Sequence, residues 1–129
     1  MAGSKILGIV ESGYRGTLES QEDAVLRLCG ELARAGAEFA LLFRGNAVNY
    51  LNKRQQPPPL KFGDGAPESP PRVLDEVAAL GRANVALYYV DEDAGERGMV
   101  KPDLAPLARA VSRSNLTRFV AGFDRLLHF

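Results

Sequence analysis

Lys5-Ile-Leu-Gly-Ile-Val10 is a short apolar run bounded by polar residues, and it reads as a buried strand. Glu11-Ser-Gly-Tyr-Arg-Gly16 then breaks the pattern with two glycines, which marks a loop. A helix is expected next, from about Leu18 or Glu19 to Ala35. Ser20 with Asp23 resembles a capping box, in which a hydroxyl and a carboxylate satisfy unpaired first-turn amides. Val25, Leu28, Cys29, Leu32 and Ala33 recur at helical spacing and give this helix an apolar face. Gly36 ends it, because a residue without Cβ enters the left-handed region at little cost.

The same alternation continues outward. Glu38-Phe-Ala-Leu-Leu-Phe43 is a second buried strand, ending at Arg44-Gly45, and Asn46 is placed to cap a short helix carrying Val48, Tyr50 and Leu51. The segment at about 55–71 is rich in proline and glycine and holds no regular element, as in a long functional or disordered loop. Ser69 and Pro70 read as an N-cap and first helical residue of a helix that runs to about Arg82 and buries Val73, Leu74, Val77 and Leu80. Val85-Ala-Leu-Tyr-Tyr-Val90 is the third strand, followed by the polar loop Asp91-Glu-Asp-Ala-Gly-Glu-Arg-Gly98. The stretch from Leu104 to Ser112 fits either helix or strand. Ser114 is a candidate cap for a last helix with Leu116, Phe119 and Val120, closed near Gly122, and Phe123 to Phe129 ends the chain as an apolar strand candidate.

Buried strands alternating with amphipathic helices imply right-handed βαβ units and a parallel sheet covered on both faces. In such sheets ligands sit beyond the carboxyl ends of the strands. That topology gathers Glu11 to Gln21, Arg44 to Asn49 and Asp91 to Met99 on one rim. The chain has 129 residues, which suits one domain over 1–129 and a core needing no disulfide or metal. Its 16 basic and 16 acidic residues cancel, so no basic field attracts nucleic acid or anionic lipid. No apolar run approaches a membrane span, and Met1 to Ser4 opens no secretory signal. The one cysteine, Cys29, forms no internal disulfide, and a reducing, cytoplasmic setting is expected.

Chemistry is harder to find. Ser12-Gly-Tyr-Arg-Gly-Thr matches neither a dinucleotide fingerprint nor a P-loop, so Gly13 and Arg15 are either a small anion site or a connecting loop. Asp91, Glu92, Asp93 and Glu96 lack calcium-loop spacing, and acids at a helix entrance explain them more simply than a metal does. Cys29 lies on an apolar stripe and reads as core. His128 has no identifiable carboxylate or nucleophile partner in sequence and reads as structural. Arg44, Asn46 and Asn49 either bind a polar ligand or cap the following helix, with capping favoured. The rim candidates for a ligand are thus Glu11, Ser12, Gly13, Arg15, Arg44, Asn46, Asn49, Val90, Asp91 and Glu92, with no catalytic residue, metal or cofactor assigned.

Taken in order, Lys5-Ile-Leu-Gly-Ile-Val-Glu-Ser-Gly13, Asp23-Ala-Val-Leu-Arg-Leu28, Leu41-Leu-Phe-Arg-Gly-Asn-Ala-Val48, Val85-Ala-Leu-Tyr-Tyr-Val-Asp-Glu-Asp93 with Glu96-Arg-Gly98, and Phe123-Asp-Arg-Leu-Leu-His-Phe129 resemble the DsrE/DsrF-like family of small sulfur-relay proteins. The resemblance covers nearly the whole chain through the order and spacing of pieces, none of them diagnostic alone. It implies a three-layer α/β/α sandwich on a five-stranded, mainly parallel sheet, assembled as a trimer or hexamer, with a strand at about Leu107 to Ser112. It also implies a persulfide-forming cysteine where the third strand ends. This chain has Val90 there, or Asp91 if the register slips by one, and neither carries sulfur.

Three functions follow as expectations. The first is a DsrE-like, non-catalytic subunit linked to sulfur metabolism that binds a small ligand or a sulfur-relay partner. The second is a sulfurtransferase or sulfur carrier using Cys29. The third is a structural homo-oligomer subunit whose exposed apolar residues, such as Phe62, serve assembly.

Overall fold

The computed structural model describes residues 5–12, 24–55 and 73–129. Five strands, β1 (Lys5–Val10), β2 (Glu38–Phe43), β3 (Ala86–Val90), β4 (Arg109–Val111) and β5 (Arg125–His128), form one sheet in the order β4-β3-β2-β1-β5. Every pairing among them is parallel. Among the described residues four helices accompany them: α1 (Ala24–Arg34), α2 (Val73–Arg82), α3 (Asp91–Glu96) and α4 (Leu116–Ala121). Short 3-10 helices span Gly45–Leu51, Lys101–Asp103 and Arg113–Asn115. This is an α/β sandwich.

The strands form where apolar residues run without interruption, because a central parallel strand is buried on both faces. β2, the middle strand, buries every residue from Phe39 to Phe43. On one face Phe39, Leu41 and Phe43 join Leu87, Tyr89, Val25, Leu26, Cys29, Val77, Leu80, Ala94 and the Gly45–Leu51 helix in the larger core. On the other face Leu7, Ala40, Leu42, Val90 and Val111 meet Leu116, Phe119, Val120 and Phe123 around α4. Edge-on ring contacts seat this smaller layer, with Phe119 4.7 Å from Tyr88 and 5.3 Å from Phe123.

α1, α2 and α3 end in the same way. Gly36, Asn84 and Gly98 take positive φ values of 99°, 65° and 75°. The next amide then reaches back to the carbonyl five residues earlier, Ala37 to Leu32, Val85 to Leu80 and Met99 to Ala94. This left-handed closure satisfies carbonyls that the helix leaves unpaired and turns the chain toward the following segment.

Several local expectations need correction. The polar loop after the third strand is a helix, α3, whose first turn holds Asp91, Glu92 and Asp93. Its only buried residue is Ala94, so it carries no apolar period to read. β3 starts at Ala86 and β4 covers only Arg109–Val111 within the expected 107–112. Asn46 is not a cap: it lies inside the 3-10 helix, where Arg44 occupies the cap position without a side-chain bond. Ser114 likewise lies in a 3-10 turn, and Asn115 precedes α4 without capping it. The start of the first helix with Ser20 and Asp23, the Ser69-Pro70 start and the 55–71 segment beyond Gln55 lie outside the described residues. Among the described residues, no helix is long and apolar enough to cross a membrane.

Candidate functional site

The crossovers place the site. β3 hands the chain to α3 on the larger-core face, whereas β4 hands it to α4 on the opposite face and across to β5 at the far edge. The crevice beyond the carboxyl ends of β3 and β4 is therefore the switch point at which open α/β sheets receive ligands. A pocket of about 470 Å³ opens there, lined by Glu11, Arg44, Gly45, Asn46, Val90, Asp93, Arg97, Arg113 and Leu116. Val90 and Leu116 are its apolar contribution, and the rest of the lining is polar or backbone.

Glu11, the residue after β1, fixes one wall. Its Oε1 takes the Arg44 Nε at 2.9 Å, and its Oε2 lies 3.2 Å from the His128 Nε2. Its amide donates to the Phe129 carbonyl at 3.1 Å, and the Arg44 amide donates to the Val10 carbonyl at 3.0 Å. One carboxylate thereby ties together the ends of β1, β2 and β5. His128 does have a carboxylate partner, contrary to the sequence expectation. That partner is contributed by a neighbouring strand 117 positions away, which no local pattern reveals.

Asp93 fixes the opposite wall. Its Oδ2 accepts the Gly45 amide at 2.8 Å, and its Oδ1 holds the Arg113 Nη2. Gly45 stands at φ 58°, a left-handed backbone that glycine adopts without strain. Arg97 spans from α3 to the Gly45–Leu51 helix, donating Nε and Nη2 to the Asn46 Oδ1 at 3.1 and 2.9 Å and Nη1 to the Asp93 carbonyl at 3.0 Å. Arg113 also bonds Glu96 at 3.1 Å, and its amide donates to both Glu92 oxygens at 3.0 and 2.9 Å.

These contacts set the protonation states. Burial pushes the Asp93 carboxyl up, but the Gly45 amide and the Arg113 guanidinium outweigh it and hold the group below its ordinary range. Glu92 is also held low, chiefly by the Arg113 amide. The bond to Asp93, with Glu96 beside it, raises the Arg113 pKa. Burial, aided by the Asp91 charge, raises that of Tyr89. Asp93, Glu92 and Arg113 thus each favour their charged form.

The structure brings together Glu11, Arg44, Asn46 and Val90 from the sequence candidates. Ser12 is exposed beside them but does not line the pocket, and Gly13 and Arg15 lie outside the described residues. Asn49 is half-buried inside its 3-10 helix, Asp91 is exposed, and Glu92 faces the Arg113 backbone rather than the pocket. Of the acids after β3, Glu92, Asp93 and Glu96 contact Arg113, whereas Asp91 is exposed. Gly45, Asp93, Arg97, Arg113 and Leu116 are additional. Arg113 and Leu116 follow β4, the strand whose local sequence is least distinctive.

Cys29 lies fully buried on α1 in the larger core and does not line the pocket. Among the described residues, no group of three or more His, Cys, Asp or Glu side chains is placed to hold a metal ion.

No protein-family model matches the chain, and no curated protein does. Among solved structures, the crystal structure of the ychN protein from E. coli superposes with a TM-score of 0.73, covering 98% of this chain and 99% of that one. Sequence identity is 20%, so the likeness is one of fold. The chain is accordingly similar in fold to the E. coli ychN protein.

Proposed function

We propose that this chain is a DsrE-like protein linked to sulfur metabolism, in which the pocket beyond β3 and β4 binds a small ligand or a relay partner without covalent chemistry. The sequence resemblance and the fold shared with the E. coli ychN protein support the family reading. The observation that carries the non-catalytic reading is the identity of the pocket wall. Val90 stands where the resemblance expects a sulfur-carrying cysteine, and the single thiol, Cys29, is buried on the core side of α1. A thiol must be exposed as thiolate to accept sulfur.

Thermal-shift measurements against nucleotides, sulfur compounds and coenzymes, together with pull-downs, test this reading. A ligand or partner that raises the melting temperature, with the gain lost on substituting Arg44, supports it. Melting temperatures unmoved across the panel, with no captured partner, contradict it.

A second reading, assembly into a homo-oligomer, is favoured by one observation. β5 is an edge strand, and its Leu126 and Leu127 are 50% and 38% exposed. Open ladders beside apolar side chains pair readily with another chain. Light scattering at high protein concentration tests it: a trimer or hexamer agrees, and a monomer contradicts it.

A further inference from the structure

We infer that the ligand of this pocket is a small organic anion, with an oxyanion head group held by Arg44 and Arg113 and a short apolar portion against Val90 and Leu116. The inference rests on reading the pocket as a ligand site and specifies what that site takes.

The pocket lining contains three guanidinium groups, on Arg44, Arg97 and Arg113, and two carboxylates, on Glu11 and Asp93. Three of the four carboxylate oxygens already face protein donors, Arg44 at Glu11 and Gly45 and Arg113 at Asp93, and the fourth lies 3.2 Å from the His128 Nε2. The Asn46 carbonyl oxygen is likewise taken twice by Arg97. Most of the unused capacity is on donors. Arg44 uses only Nε, and the Arg113 side chain uses only Nη2, among the described residues. The Asn46 amide nitrogen makes no bond to a described residue either.

A ligand that satisfies this lining must therefore bring acceptors, and acceptors that carry negative charge bond most strongly to the unused guanidinium donors. Carboxylate, sulfonate and phosphate heads share that chemistry, and arginine forks match their oxygens in pairs. Charge alone would also suit a bare inorganic ion. The half-buried Leu116, with the buried Val90 behind it, adds an apolar wall that an inorganic ion leaves unused. Arg97 is a positioning residue: its bonds to Asn46 and the Asp93 carbonyl hold the wall that carries the donors.

The test is a titration of the full 15N-labelled chain with four probes, 1-butanesulfonate, inorganic sulfate, butylammonium and 1-butanol. It is read at the amides of Gly45, Asn46, Val90 and Arg113. Butanesulfonate is expected to shift these resonances saturably, sulfate to do so about tenfold more weakly for want of the tail, and the cation and alcohol to leave them unmoved. Arg44→Gln, which removes a side chain bonded among the described residues only to Glu11, should weaken butanesulfonate about tenfold, and Arg44→Lys should recover part of the loss. Rising ionic strength should weaken it further. Butylammonium or butanol acting as strongly as butanesulfonate would overturn the anion assignment while leaving the pocket a ligand site. Silence at these amides with all four probes also overturns it. The broader ligand-site reading fails separately, only if the wider panel above is silent too.

Discussion

Asp93 on α3 accepts the Gly45 amide hydrogen at 2.8 Å, bridging residues 48 apart in the chain. Its second oxygen holds Arg113, so one carboxylate joins the end of β2, the first turn of α3 and the turn after β4. The side chain is 14% exposed, whereas that of Glu96, the other acid on Arg113, is 58% exposed.

That difference in burial predicts a difference in stability. Asp93→Ala strands the part-buried Gly45 amide and takes one of two side-chain carboxylates from the half-exposed Arg113, at a cost of about 1–2 kcal/mol. Glu96→Ala removes an exposed pair and should cost less than about 0.5 kcal/mol. Urea midpoints of the two variants make the comparison; equal losses would show that the geometry around Asp93 is not what stabilises the rim.

The same contacts predict an acid limb. Asp93 and Glu92 are held below their ordinary range in the folded chain. A carboxyl depressed on folding contributes stability above its unfolded pKa and loses it as pH falls through the folded one. Stability should therefore be flat down to about pH 5 and decline below about pH 4. Asp93→Asn should flatten part of that decline. Denaturation curves from pH 7 to pH 3 test this, and an unchanged acid limb in the variant would contradict it.

How much of this was legible in the sequence depended on what each element buries. β1, β2 and β3 announce themselves because Lys5–Val10, Glu38–Phe43 and Ala86–Val90 are apolar runs of strand length. α3 hides because its six residues bury only Ala94, and its place is held by charge pairs to the distant Arg113. β4 is three residues long, two of them exposed, so its position follows from resemblance rather than composition.

The candidate site divides along the same line. Glu11, Arg44, Asn46 and Val90 directly follow or end strands that the pattern reveals, so topology alone gathers them. Arg113 and Leu116 follow the strand that it does not reveal. The Glu11–His128 contact depends on β5 returning beside β1, a crossover that only the folded sheet displays.

Two glycines offer a test of packing. A Cβ on Gly8 would meet Leu41 Cδ2 at 2.8 Å and Phe39 Cε1 at 3.0 Å, both on buried side chains with no space to yield. Gly8→Ala should cost about 1–3 kcal/mol. A Cβ on Gly81 would also meet a leucine methyl at 2.8 Å, but that Leu107 is 64% exposed and free to swing away. Gly81 is inside α2, so Gly81→Ala should be neutral or stabilising by up to about 1 kcal/mol. Thermal unfolding of the pair decides it, and equal losses would contradict the stated packing.

Burial of Cys29 predicts slow thiol chemistry. In the native protein a chromogenic disulfide reagent should modify it only as fast as the chain opens. In guanidinium it should react at once, with one equivalent per chain. Rapid, full reaction of the folded protein would place the thiol at the surface.

The central claim, that the pocket works by binding and that this chain carries no sulfur, is tested most directly by intact mass. Native protein is incubated with a sulfane-sulfur donor, desalted and weighed beside Cys29→Ser. The account predicts that both masses stay unchanged. A gain of one sulfur atom by the parent chain, absent from Cys29→Ser, would contradict it and make Cys29 a sulfur carrier.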